Sequence, residues 1–193
     1  MFLTLRSMPR RILVPLPDCD FGVTDVAVPW RFLRRAGHQV VFSTENGGQR
    51  PEADPRLLTG VVFGQLGAAD EPKRWYEDLR DDASFSSPTA SGDLDVSTFD
   101  ALLLPGGHAP GMKQYLGSKV LQRHVATFSH LHRPVGAICH GVVVLARAHD
   151  LDSGRSALAD VRTTAPTKRL KGLLGHVMAL GSLLPHLSRL RRE

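Results

Sequence analysis

Cysteine is scarce in this sequence: Cys19 and Cys139 are the only two among 193 residues. Two cysteines cannot build a disulfide framework, so a reducing compartment is expected. Long apolar runs are missing as well. None approaches the roughly 20 residues that span a bilayer. The opening "MFLTLRSMPRR" lacks the apolar core of about 7–15 residues and the small-residue cleavage site of a secretory signal. A cytoplasmic location is expected. Aromatic residues make up only 6%, and Trp30, Trp75 and Tyr76 read as packing residues rather than platforms for stacked bases. No internal repeat and no low-complexity tract is found.

What is present fits one globular domain. Hydrophobic residues amount to 42% of the chain, enough for a single sizeable core at this length. The net charge of +5 is unevenly placed. Residues 155–193 hold eight basic and two acidic side chains and carry +6, which leaves −1 for the rest. The high pI belongs to the tail. With no nucleic-acid-binding motif in the main body, no nucleic-acid partner is expected.

Apolar runs and turn signals alternate along the chain. "RILVPL" (11–16) reads as a buried strand, and "QVVFST" (39–44) as a second. Between them "TDVAVPWRFLRRAGH" reads as a helix capped by Thr24, with Pro29 near its first turn and Gly37 as its stop. Such a β-α-β unit implies a parallel sheet. Residues 46–98 read as an irregular cover insertion with one helix over 73–82. Beyond them come a strand at 101–105, a helix at 118–131, a strand at 134–138 and a helix at 141–149. The whole reads as an α/β sandwich with a parallel sheet and helices on both faces.

In open parallel sheets, sites form beyond the carboxyl ends of the strands. Three of those ends stand out: "PDCDFGVTD", "PGGHAPG" and "CHG". In "GAICHG", Gly136 and Gly141 flank Cys139 at −3 and +2. That spacing suits a nucleophile elbow, where small neighbours relieve a strained strand-to-helix turn. It also suits a buried cysteine in a tight turn. A helix starting after the cysteine would favour the reactive thiolate. Gly106 and Gly107 could supply N–H donors which, with that of His140, form an oxyanion hole, or could be an ordinary turn. Asp25 could face the site or could simply be an acid in a helix's first turn. Asp18 and Asp20 read as loop residues without a role.

Taken together, "FDALLLPGGHAPGM" (99–112), "RPVGAICHGVVVLA" (133–146) and "TDVAVPWRFLRRAGHQVVFST" (24–44) resemble the ThiJ/PfpI superfamily. The resemblance covers roughly residues 10–165. It implies a flavodoxin-like fold related to class I glutamine amidotransferases. It also implies Cys139 as nucleophile, His140 as base and Asp25 as the acid near the sulfur, where Glu is more usual. Amidotransferases place a His-x-Glu pair far downstream of the cysteine, and this chain has none, so glutamine hydrolysis is not expected.

The activity implied is a cysteine-dependent hydrolase or lyase acting on a small carbonyl compound, glyoxalase- or deglycase-like, or on a peptide bond. The alternative is a non-enzymatic redox sensor or chaperone-like protein that uses Cys139. A small-molecule substrate is the expected partner, with His108 lining its pocket. Cys19 lies in the first strand-end loop, where it could resolve an oxidised Cys139 or be an incidental thiol. His108, His140 and Asp25 share no tight ligand spacing, so no metal is expected, and no cofactor either. His124, His130 and His132 read as a solvated helix face. The basic tail, 166–193, follows helical spacing through Leu170, Leu173, Leu174, Val177, Met178 and Leu180. It could pack on the sheet, form a homodimer contact or lie on a membrane surface.

Overall fold

The computed structural model describes residues 8–60, 67–159 and 161–164. The helical tail expected within 166–193 lies outside the described residues. In chain order the elements are β1 (Arg11–Pro15), β2 (Cys19–Phe21), α1 (Val23–Arg35), β3 (Gln39–Thr44), β4 (Glu52–Ala53), α2 (Pro55–Thr59), α3 (Asp70–Arg80), α4 (Ala83–Ser86) and β5 (Thr89–Ala90). They continue with β6 (Ala101–Leu104), α5 (Met112–Gly117), α6 (Lys119–His130), β7 (Val135–Ala137) and α7 (Val142–Arg147).

Among the described residues, five strands form one sheet in the order β5-β3-β1-β6-β7, all paired in parallel. β2 and β4 make a separate two-stranded parallel ribbon. This is the expected α/β sandwich of flavodoxin-like type. The central strand explains itself: Ile12, Leu13, Val14 and Pro15 are buried in succession. A strand that buries consecutive residues is covered on both faces, which is where parallel sheets are stable. Leu13, Phe42, Leu102, Leu104 and Phe128 lie at the centre of the core.

Three local expectations are corrected. The first helix is not capped by Thr24. It begins at Val23 with Gly22 as its N-cap residue and no side-chain cap, and Thr24 is an exposed residue inside it. Pro29 does not lie near the first turn but in the helix interior. Tertiary packing tolerates the missing hydrogen bond there, because the helix buries Val23, Val26, Ala27 and Trp30.

The described residues of the segment 46–98 are far more ordered than its composition implies. Its aspartates are caps. Asp54 accepts a hydrogen bond from the Arg56 N–H, Asp82 from those of Ser84 and Phe85, and Asp95 from that of Ser97. An acid that caps a short helix looks, in sequence, like an acid in a loop. The segment also supplies core: Tyr76, Leu79 and Phe85 are buried, and Phe85 packs edge-on against Phe21, Phe42 and Tyr76. The expected helix over 73–82 is α3, three residues earlier at its start. It packs on α1 through Phe32 and Trp75, with ring centroids 5.9 Å apart. Trp30 and Tyr76 are buried, in keeping with their reading as packing residues.

The third correction concerns His124. It does not share a solvated face with His130 and His132, which are exposed; it is 7% exposed. The face of α6 that carries Leu121, Val125 and Phe128 takes His124 inward with it. Its Nδ1 is buried without a hydrogen-bond partner. Burial, with a smaller contribution from the Arg123 charge, lowers its pKa from 6.5 to about 4.

The imidazole is therefore neutral in the fold, while the unfolded chain gains a proton as pH falls below about 6.5. The resulting stability is fully present above that pH and is lost as pH falls toward about 4. Unfolding free energies from denaturant titrations at pH 7 and pH 5 should differ by about 2 kcal/mol more in the parent than in a His124→Leu variant. Equal pH dependence in the two proteins would contradict this reading.

Candidate active site

The site is built where β1, β6 and β7 end. β7 stays in register with β6 as far as Leu104 opposite Ala137, and the Ile138 N–H still donates to the Leu104 carbonyl at 2.9 Å. The chain then turns sharply. Cys139 has φ +53, left-handed backbone that a residue with a Cβ adopts at a cost of order 1–3 kcal/mol. A single 3-10 turn, Cys139–Gly141, leads into α7.

Two glycines allow the elbow to seat. A Cβ on Gly141 would lie 2.1 Å from the Leu104 carbonyl oxygen. A Cβ on Gly106 would lie 2.7 Å from the Cβ of Cys139, the backbone N of His140 and the Ile138 carbonyl oxygen. The expected elbow glycine at −3, Gly136, is less critical, since a Cβ there meets only the end of the Leu103 side chain.

Cys139 is exposed, so it is not a buried structural cysteine. Its Sγ lies 3.4 Å from His140 Nδ1 and 3.9 Å from His108 Nε2. The two imidazoles meet edge to face with ring centroids 4.6 Å apart. His108 thus sits beside the sulfur itself. α7 runs for six residues rather than the nine expected, so the helix field at the sulfur is that of a short helix.

Asp25 is half-buried in the first turn of α1. Burial raises its pKa, opposed by the charge of His108 and by a hydrogen bond from the Gly106 N–H. A Cβ on Gly22 would come within 3.1 Å of Asp25 Oδ2, so the carboxyl group fits closely against this glycine. Cys19, expected in a loop, is exposed at the start of β2, paired with Glu52 of β4. Burial, then the charges of Asp20 and Asp18, raise its thiol pKa.

The loop that carries His108 is tied down by residues to which the sequence assigns no role. The Gly22 N–H donates to the Gly106 carbonyl at 2.7 Å, and the Gly111 N–H donates to Asp20 Oδ2 at 2.7 Å. Asp20 has φ +74 and reaches Gly111 from that position. Asp18 Oδ2 accepts from Gln114 Nε2 at 2.9 Å. An Asp in a strand-end loop has no periodic signature, and its partner stands 91 residues away.

An α/β sheet with a cysteine on a strained strand-to-helix elbow, beside histidines at the strand ends, defines a class of cysteine-bearing sandwich proteins. Residues 16–169 match the family described as ThiJ/PfpI family-like, and the chain belongs to it. An uncharacterized protein of Schizosaccharomyces pombe is 30% identical over 146 residues, covering 72% of this chain and 54% of that protein. Protein/nucleic acid deglycase 2 of Escherichia coli is 29% identical over 153 residues, covering 79% of this chain and 72% of the deglycase. The chain thus spans about half the length of the first relative and about seven tenths of the second. The crystal structure of glyoxalase III from Candida albicans shares the fold, with a TM-score of 0.66 and 20% identity over 90% of this chain and 76% of that one. Among the described residues, no helix is long and apolar enough to cross a membrane.

Proposed function

We propose that the chain acts on a small carbonyl compound by glyoxalase- or deglycase-like chemistry, with Cys139 as nucleophile. One observation carries this reading: an exposed sulfur on a positive-φ elbow, with imidazole nitrogens at 3.4 and 3.9 Å. The likeness to the Escherichia coli deglycase and to a Pyrococcus abyssi deglycase, 27% identical over 138 residues, supports it.

His140 Nδ1 takes the thiol proton, and the thiolate adds to an aldehyde carbon. As the C–S bond forms, the carbonyl π pair moves onto oxygen. The N–H groups of Gly107 and His140 receive this oxyanion. Gly106 beside them also lets the elbow approach, since a Cβ there would collide with Cys139 and His140. With a 2-oxoaldehyde, the former aldehyde hydrogen leaves as a proton and returns to the neighbouring carbon, a transfer for which His108 is placed. The adduct becomes a thioester, and water releases a 2-hydroxy acid. The oxidation at one carbon balances the reduction at the next, so no external redox partner is needed.

Proton NMR of the purified chain with methylglyoxal tests this. Lactate should accumulate catalytically. Reversible oxidation of Cys139 without any lactate would favour redox sensing instead.

Asp25 provides a finer test. Burial favours its protonated form, which can donate a hydrogen bond toward the site. Asp25→Asn keeps a donor and removes the charge, whereas Asp25→Ala removes both. The Asn variant should keep most of the alkylation rate of Cys139. The Ala variant should need a pH about one unit higher to reach the same rate, equivalent to ~1.4 kcal/mol. Identical rate-against-pH curves for all three proteins would reduce Asp25 to a helix-start acid.

A further inference from the structure

We propose that His108, Cys139 and His140 form a binding site for a thiophilic divalent cation such as Zn2+, with a fourth position open to water. One Sγ and two imidazole nitrogens, one from each residue, all lie within 4.8 Å of one another. In a tetrahedral site with Zn–S of about 2.3 Å and Zn–N of about 2.0–2.1 Å, sulfur and nitrogen stand about 3.5 Å apart. The two sulfur–nitrogen separations, 3.4 and 3.9 Å, bracket that value.

The donor set selects the ion. A thiolate with two imidazoles suits zinc and its soft neighbours, and not magnesium or calcium, which take oxygen ligands. Three protein ligands with an open position is the pattern of sites that keep a water or bind a substrate. Cys139 and His108 are exposed, so an ion can enter from solvent.

The ligands are also held in place beforehand. The elbow fixes Cys139 and His140, and the loop that carries His108 is clamped at Gly106 by Gly22 and at Gly111 by Asp20. The sequence hides this site because His108 stands 31 residues before Cys139, outside any compact ligand motif.

Binding exchanges the thiol proton for the metal: the S–H bond breaks, the S–metal bond forms and the proton goes to solvent. The sulfur lone pair that would attack a carbonyl is then held by the metal. On the proposed function, the ion is a reversible inhibitor that a chelator removes. The binding itself does not depend on that function.

Co2+ titrated into the full chain, free of added thiols, supplies the test. A thiolate-to-cobalt charge-transfer band in the near ultraviolet should saturate at one ion per chain, with visible bands of four-coordinate cobalt. Cys139→Ser should abolish the charge-transfer band, and Cys19→Ser should leave it intact. His108→Ala and His140→Ala should each weaken binding at least about tenfold. A missing band, a band lost with Cys19→Ser instead, or an affinity that neither histidine variant changes would overturn the proposal. Turnover is read separately. Bands without methylglyoxal turnover support the site and count against the enzyme; turnover without bands does the reverse.

Discussion

Iodoacetamide at pH 7 is expected to label Cys139 at least about tenfold faster than Cys19, and Cys139→Ser should remove the fast phase entirely. Both cysteines are exposed, so access does not separate them. Their surroundings do. Cys19 stands between Asp18 and Asp20, whose charges add to burial in disfavouring its thiolate. Each unit by which a thiol pKa rises above the working pH lowers the thiolate fraction about tenfold. Cys139 instead has two imidazoles at hand, with His140 Nδ1 at 3.4 Å to accept its proton. Mass mapping of the alkylated protein gives both rates in one time course. Equal rates, or faster labelling at Cys19, would remove the basis for a reactive elbow.

Gly141→Ala should be the most damaging single methyl group in the site. The backbone of Gly141 is ordinary helical, with φ −55 and ψ −28, so alanine meets no torsional objection. The obstacle is space. The new Cβ would sit 2.1 Å from the Leu104 carbonyl oxygen and 2.7 Å from that of Pro105. Both are backbone atoms at the end of β6, and a rotamer change cannot move them. The elbow must lift off the sheet, or the strand end must shift. Overpacking of this kind costs about 3 kcal/mol, a fall in Tm of roughly 6–12 °C for a chain of this size. Calorimetry measures it, and an unchanged Tm would mean that the elbow is more loosely seated than these distances imply. Gly117→Ala is the control, because among the described residues a Cβ there meets nothing within 4 Å.

The elements with strong periodicity were legible in the sequence. β1, β3, α1, α6 and the elbow after β7 fall within a few residues of where apolar spacing and turn residues place them. Cys139, His140 and Gly106 come together because strand ends in a parallel sheet must meet at one edge. What escaped detection depends on tertiary context. The short capped elements of 46–98 carry no long apolar period, and their aspartates look like loop residues until a partner N–H is seen. His124 shares α6 with the exposed His130, and only the packing face of that helix separates the two. The position of His108 beside the sulfur depends on a clamp through Asp20 and Gly22 that no local pattern announces.

Methylglyoxal consumption by Cys19→Ser and Cys139→Ser, assayed side by side with the parent chain, tests the central claim most directly. The two variants differ from the parent by one sulfur each, and both sulfurs are exposed, one at the start of β2 and one at the elbow. If Cys139 is the nucleophile, Cys19→Ser retains the parent rate and Cys139→Ser falls by at least about a hundredfold. Equal consumption by all three proteins, or loss confined to Cys19→Ser, would contradict it.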